Sequence, residues 1–249
     1  MIKYNYKNFF IIYLIILYAL ICFYLYEKQG NEVEWTISEW LINYQGGFTR
    51  RGLIGEIVFN FSNFFEISLR KIIFFFQIFL YLIYFLLILN LLKNLKLDSY
   101  LLFAIFCPLF LTYPVAEVEV LGRKEIFILI SYILIINIFS YKFQNYIKLL
   151  LFTFIIIICI LIWEGVLFYI LYFYLILILN QKKYNLFFLL FLIINFILIS
   201  ITLYFIINSK LSLQELRVMC NSINHSYGCY SAIEYLDNSL KDNINEVFS

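Results

Sequence analysis

Long apolar runs broken by short polar connections set the pattern of this chain. They fall at about 9–26, 72–92, 100–116, 125–140, 148–163, 166–180 and 186–207. A helix needs about 20 predominantly apolar residues to cross a bilayer, with a range of roughly 17–25. The runs therefore predict about seven membrane spans. Those at 100–116 and 125–140 are short and are expected to tilt, kink or re-enter, because Pro108 and Pro114 interrupt the backbone hydrogen-bond ladder in or beside the first. From Lys148 to Asn180 a single helix would be about 50 Å long at 1.5 Å per residue, far beyond the hydrocarbon core. Two short spans turning at Trp163-Glu164-Gly165 fit better.

The polar connection at 27–71 carries its own helical signals. Thr36-Ile37-Ser38-Glu39 reads as a capping box flanked by Trp35 and Trp40, which predicts a short helix starting at Thr36, with tryptophans suited to the membrane interface. Gly46-Gly47 then breaks the chain. Between about 51 and 66, Leu53, Ile54, Ile57, Val58, Phe61, Phe64 and Phe65 recur at helical spacing opposite Arg51, Gly52, Gly55, Glu56, Asn63 and Glu66. An amphipathic helix lying in the interface is expected there. The organisation is thus a transmembrane domain at 1–207 followed by a polar tail at 208–249.

Composition fixes the class. Hydrophobic residues make up 64% of the 249 and charged residues 14%, with mean hydropathy +0.91. Soluble domains average about 45–50% apolar and about 25% charged. The excess needs lipid as solvent, so the fold class is all-α, a polytopic transmembrane helical bundle. The net charge of +2 comes without a basic stripe, which implies no nucleic-acid partner.

Charge also orients the bundle. With the N-terminus inside, the short inner connections hold Lys3, Lys7, Lys93, Lys96, Lys142, Lys148, Lys182 and Lys183, with Asp98 as their one acid. That is the positive-inside pattern. Lys3 and Lys7 ahead of Phe9–Tyr26 give the order of a signal peptide, but the apolar run is too long and no small-residue cleavage site follows, so an uncleaved first span is expected. The chain is accordingly placed in a cytoplasmic membrane, with its tail extracytoplasmic. Cys22, Cys107 and Cys159 lie within apolar runs as small hydrophobes. Cys220 and Cys229, nine residues apart in the tail, are expected to bridge in an oxidising compartment, the alternative being two free thiols.

Three charged features outside the bilayer carry candidate chemistry. In Gly46-Gly47-Phe48-Thr49-Arg50-Arg51-Gly52, glycines allow close approach to the backbone, and two arginines precede a helix start, where free N–H groups favour anions. Arginine forks match phosphate oxygens. Arg50 and Arg51 read either as phosphate ligands or as interfacial anchors paired with nearby glutamates. In the run from Glu117 to Glu125, Arg123 and Lys124 read as a second phosphate contact and Glu117 or Glu119 as a base; the plainer alternative is an exposed turn with internal ion pairs. Glu164, alone in a long apolar stretch, is a functional candidate by its position, or an acid resting in an outer turn. His225 is the single histidine, which excludes a His-rich metal site, and no nucleotide-binding loop, serine triad or zinc spacing occurs, so neither a metal nor a cofactor is expected.

Gly46–Glu56 (GGFTRRGLIGE) and Gly122–Glu125 (GRKE) resemble patterns in multi-span inner-membrane proteins of bacterial surface-polysaccharide clusters, the O-antigen and capsule polymerase-like proteins. Such proteins have more spans and a longer chain after the outer loop; this chain stops at Ser249, and a truncated or divergent member is expected. The resemblance implies glycosyl transfer at the outer face on a lipid-pyrophosphate-linked oligosaccharide. It implies that Arg50, Arg51, Arg123 and Lys124 hold the pyrophosphate, and that Glu119, Glu117 or Glu164 deprotonates the acceptor. Partners would be a polyprenyl-phosphate-linked glycan, membrane lipid and other polysaccharide-assembly membrane proteins. Three rival readings stand. One is a C-type glycosyltransferase using a lipid-monophosphate sugar, with Glu32, Glu34 or Glu39 catalytic. The others are a lipid-linked glycan transporter and a non-catalytic membrane scaffold.

Overall fold

The computed structural model describes residues 5–30, 35–93, 99–107, 111–141, 144–180, 186–223, 229 and 231–238. Among these residues all regular structure is helical. Four helices are long and apolar enough to cross a membrane, between Asn8–Gly30, Leu69–Leu92, Asn145–Ile162 and Leu186–Asn208. They belong to α1 (Asn5–Gly30), α4 (Leu69–Lys93), α8 (Asn145–Ile162) and α10 (Leu186–Asn208). Between the first two lie α2 (Trp35–Leu41) and α3 (Gly52–Phe65). Shorter apolar helices are α7 (Ile126–Ser140) and α9 (Ile170–Asn180), the latter led by a 3-10 turn at Glu164–Tyr169.

The expected span at 100–116 takes another form. α5 (Ser99–Phe106) stops after two turns and α6 occupies Tyr113–Ala116, with Pro114 in its first turn. Eight residues rise only about 12 Å, well short of the hydrocarbon core. Proline tolerates a helix start and not its interior, which is why α6 begins where the longer run was expected to continue. Pro108 lies outside the described residues.

The long helices are apolar on all sides, and burial selects one stripe of each. α1 buries Leu14, Leu17, Ile21 and Leu25 while Ile12, Ile15 and Phe23 face outward. Their three- and four-residue spacing is one helix face. That face packs on α4, and α4 packs in turn on α7. A second cluster joins α7 to α10 around Phe152, Phe173, Phe188 and Ile199. Because lipid tails are as apolar as leucine, polar contacts specify such packing as well as shape. Asn195, 1% exposed on α10, donates to Thr153 Oγ1 on α8 at 2.6 Å and accepts from the Tyr174 hydroxyl on α9.

At one end of the bundle the connections are fastened to each other. The turn at 117–125 hangs on Gly122, whose carbonyl accepts from the Trp40 indole at 2.7 Å and the Gln77 amide at 2.9 Å. Lys28 Nζ closes the same turn by donating to the Glu119 and Leu121 carbonyls, each at 3.0 Å. Trp40, expected at the interface, is fully buried as part of this fastening.

Gly122 has φ +83°, and a Cβ there would lie 2.8 Å from Gln77 Nε2 and 2.9 Å from Leu25 Cδ2. Gly122→Ala is therefore expected to lower stability by about 1–3 kcal/mol, from left-handed strain and overpacking together. Thermal unfolding of the purified protein in detergent measures it; an unchanged midpoint would mean that the turn relaxes without loss.

Candidate functional site

Arg51 stands at the junction of three connections. It precedes α3 with φ 63° and ψ 4°, left-handed values for a residue that bears a Cβ. Such a conformation costs about 1–2 kcal/mol and persists where surrounding contacts over-determine it. Here they do. Arg51 Nη1 meets Glu39 Oε1 of α2 at 2.8 Å. On its other edge Nε lies 2.8 Å from both oxygens of Glu164, and Nη2 lies 2.5 Å from Glu164 Oε1. The Arg51 carbonyl accepts from Lys124 Nζ at 2.6 Å.

These are buried charges. Glu39 is 3% exposed, Glu164 5% and Lys124 0%. Burial pulls the Glu164 carboxyl upward, but the Arg51 hydrogen bonds and charge outweigh it, and the group ends below its ordinary value. Glu164 is thus a carboxylate at neutral pH. Burial pushes Lys124 down to about 7, against the opposing pull of Glu39. Arg51 moves the other way: burial lowers it, yet its Glu164 hydrogen bonds and the surrounding carboxylates leave it raised.

Arg50 points into the tail. Its Nη1 donates to the Asn238 carbonyl at 3.1 Å, and its Nη2 donates to the Tyr235 carbonyl. Tyr235 belongs to a 3-10 turn at Ser231–Leu236 and Asn238 follows it two residues on; the turn is tied back through the Cys220–Cys229 disulfide to α11 (Leu213–Ser222). The same turn is pinned by the Ala232 N–H on Ser38 Oγ, 3.3 Å, and the Leu211 N–H on the Leu236 carbonyl, 2.9 Å. Between these elements opens a cavity of about 170 Å³, bounded by Arg50, Arg51 and Glu164 with Trp35 and Tyr235.

The structure thus brings together Arg50, Arg51 and Glu164 and separates the other candidates from them. Lys124 is sealed beneath Arg51 and binds its backbone. Arg123 is half-buried, 4.0 Å from Glu125, and does not line the cavity. Glu117 and Glu119 are exposed on the far part of their turn and do not line it either. Glu32, Glu34 and His225 lie outside the described residues. Two local readings need correction. Glu39 leaves the expected capping box to bind Arg51, since an ion pair in a buried place outweighs one cap hydrogen bond. The Gly46 turn admits protein backbone: a Cβ there would lie 2.1 Å from the Glu215 carbonyl of α11. The capping box that does form is Ser212–Glu215, with Glu215 Oε2 2.7 Å from the Ser212 nitrogen; its S-x-x-E spacing was legible.

For Arg51 the alternative reading, pairing with nearby glutamates, is what the structure has, through Glu39 and Glu164; sequence reasoning did not single out Glu39 as that partner, and it missed Trp35 and Tyr235 as cavity walls. Nothing in local spacing joins residues separated by such lengths of chain. Among the described residues, fold and site together define an all-helical protein with four helices long and apolar enough to cross a membrane and a charge-compensated cavity at one end of its bundle. No known protein family, curated protein or solved structure matches the chain.

Glu164→Gln leaves Arg51 with Glu39 alone and is expected to cost about 3 kcal/mol, the scale for breaking a buried pair. Because the folded-state Glu164 titrates below its ordinary value of 4.5, its contribution is complete above that pH and is lost as pH falls through the depressed value. Unfolding midpoints from pH 7 downward test this. The variant is expected to be less stable at pH 7 and to lose less on acidification; parallel curves would dismiss the ion pair as a source of stability.

Proposed function

We propose that this protein transfers glycosyl groups at the outer face of a cytoplasmic membrane, using a polyprenyl-phosphate-linked glycan as substrate. The cavity that joins Arg50, Arg51 and Glu164 is the observation that supports the reading most. An ionised carboxylate held by a guanidinium can orient and polarise an acceptor hydroxyl, and a neighbouring arginine can face a phosphate. The lipid phosphate already activates the sugar, so the reading asks for no nucleotide. Polymerisation of oligosaccharide repeat units follows from the resemblance of GGFTRRGLIGE and GRKE.

A second reading is favoured by one feature of the geometry. Arg51 is compensated by two carboxylates and Lys124 is sealed away, which leaves Arg50 as the arginine of the cavity outside that carboxylate pairing. That charge balance suits a lipid monophosphate better than the four-residue pyrophosphate grip expected at first, and so supports the C-type glycosyltransferase alternative. A transporter or a non-catalytic scaffold would need no positioned carboxylate beside Arg50.

The topology proper to this reading has seven crossings, the N-terminus inside and the tail outside. Its support is spatial: α2, the 117–125 turn, Glu164 and the tail meet at one end of the bundle. That parity requires the stretch at 99–116 to return the chain through the membrane in broken form, and it sets the outward phenylalanines of α3, Phe61, Phe64 and Phe65, in the interface. Reporter fusions after Asn180 and after Ser249 are expected to report inside and outside respectively; an inside report at Ser249 rejects seven crossings.

Function is tested in cells lacking the native gene and supplied with variants, with polymer length on a gel as readout and membrane insertion as control. Arg50→Lys keeps charge and loses the planar fork. At least a tenfold loss of long polymer is expected on the scale of one charge-assisted hydrogen bond, roughly 1.5–3 kcal/mol. Wild-type polymer from both Arg50→Lys and Glu164→Gln would remove glycosyl transfer at this cavity and favour the scaffold.

A further inference from the structure

The charged floor of the cavity has an aromatic rim whose halves come from opposite ends of the chain. Trp35 begins α2 and is 39% exposed; Tyr235 lies in the tail turn and is 54% exposed. Their ring centroids are 5.8 Å apart at 54°. Both line the cavity with Arg50, Arg51 and Glu164. In lipid-facing belts, aromatic rings gather at headgroup level around the bundle. These two instead lean on each other beside buried charges, and the tail turn holding Tyr235 is fixed by Arg50, Ser38 and the disulfide.

Apolar rings above a compensated donor-and-acceptor floor have one well-matched ligand chemistry. A strongly anionic ligand filling the cavity would meet Glu164 as well as the arginines, whereas a hydrophobic ligand would strand the charges. A pyranose ring offers both required surfaces: a face of C–H groups for the aromatic rings, and equatorial hydroxyls for the floor. Glu164 Oε1 already accepts from both Nε and Nη2 of Arg51, whereas Oε2 accepts from Nε and keeps a second lone pair for a sugar hydroxyl. A cavity of about 170 Å³ is of the size of one ring, not of a long glycan.

We infer that the Trp35–Tyr235 rim and the Glu164–Arg50 floor form a subsite for one uncharged sugar ring of the lipid-linked glycan, with the disulfide-tied tail supplying its second wall. This rests on the proposed function and adds to it the part of the substrate that the cavity reads. The tail is then part of the binding site and not a solvated appendage. Trp35 and Tyr235 are specificity residues, and neither takes part in proton transfer.

The test uses the full chain in detergent, the lipid-linked oligosaccharide purified from the producing cells, and the same lipid stripped of its sugars. The wild-type protein is expected to bind the glycosylated lipid about tenfold more tightly than the stripped one, the order of one aromatic contact plus hydroxyl pairing. Trp35→Ala and Tyr235→Ala are each expected to remove most of that difference, while Trp35→Phe keeps most of it and all three leave the stripped lipid's affinity unchanged. Unfolding midpoints equal to wild type confirm that the alanine variants are folded; where they are not, Trp35→Leu and Tyr235→Leu fill the space without a ring and are expected to lose the same preference. Equal binding of both lipids by the wild type, or a preference that survives both alanine variants, overturns the sugar subsite and leaves the lipid-phosphate reading standing. If neither lipid binds, the lipid-linked substrate falls and the subsite with it.

Discussion

A guanidinium taken out of water must be met by carboxylates, and that requirement organises the polar end of this protein. Arg51 bonds Glu39 on one edge and Glu164 on the other, while Lys124 holds its carbonyl. The contacts tie α2, the start of α3, the 117–125 turn and the connection between α8 and α9. Each carboxylate is more than nine-tenths buried, so removing any partner would strand a charge where solvation cannot rescue it. The left-handed backbone at Arg51 is tolerated because the side chain is fixed from both sides.

The remainder of the molecule answers a different solvent. Its long helices expose isoleucine, leucine and phenylalanine outward, which is favourable in lipid and would be ruinous in water. Hydrophobicity cannot decide which helix faces touch there. Close packing and a few polar contacts do, as between Thr153, Asn195 and Tyr174, joining α8, α9 and α10. The apolar bundle is thus a support, and the specific chemistry sits where the connections leave it.

The charge balance of the cavity bears on what it can hold. Of the cationic residues that look like a phosphate clamp along the chain, Arg51 is compensated by two carboxylates, Lys124 is sealed on the Arg51 carbonyl and Arg50 is held by tail carbonyls. What remains is a floor of paired donors and acceptors with an aromatic rim, closed on one side by a tail that Arg50 and a disulfide keep in place. Such a floor orients hydroxyl groups more readily than it concentrates anions. A transferase acting on a lipid-linked glycan needs the first property near its reacting centre and the second only where the lipid phosphate lies.

Apolar run length and lysine placement depend on composition over tens of residues, so the sequence by itself determined the class: an all-helical membrane protein whose charged groups collect in a few connections. Arg50, Arg51 and Glu164, which the structure brings to one cavity, also stand out along the chain as cations beside a glycine turn and as a lone acid in an apolar stretch. Local geometry was legible wherever the determining contacts are local, as in the break before Pro114 and the helix from Gly52 to Phe65. Only the tertiary structure decided that Glu39 serves Arg51 and not its own helix start, that Lys124 lies beneath the cavity while Arg50 lines it, and that Trp35 meets Tyr235 from the other end of the chain. Those outcomes depend on which distant groups compete for the same buried partner. Burial strengthens the Arg51–carboxylate contact far above any cap or surface pairing, and burial is a property of the packed bundle and not of spacing along the chain.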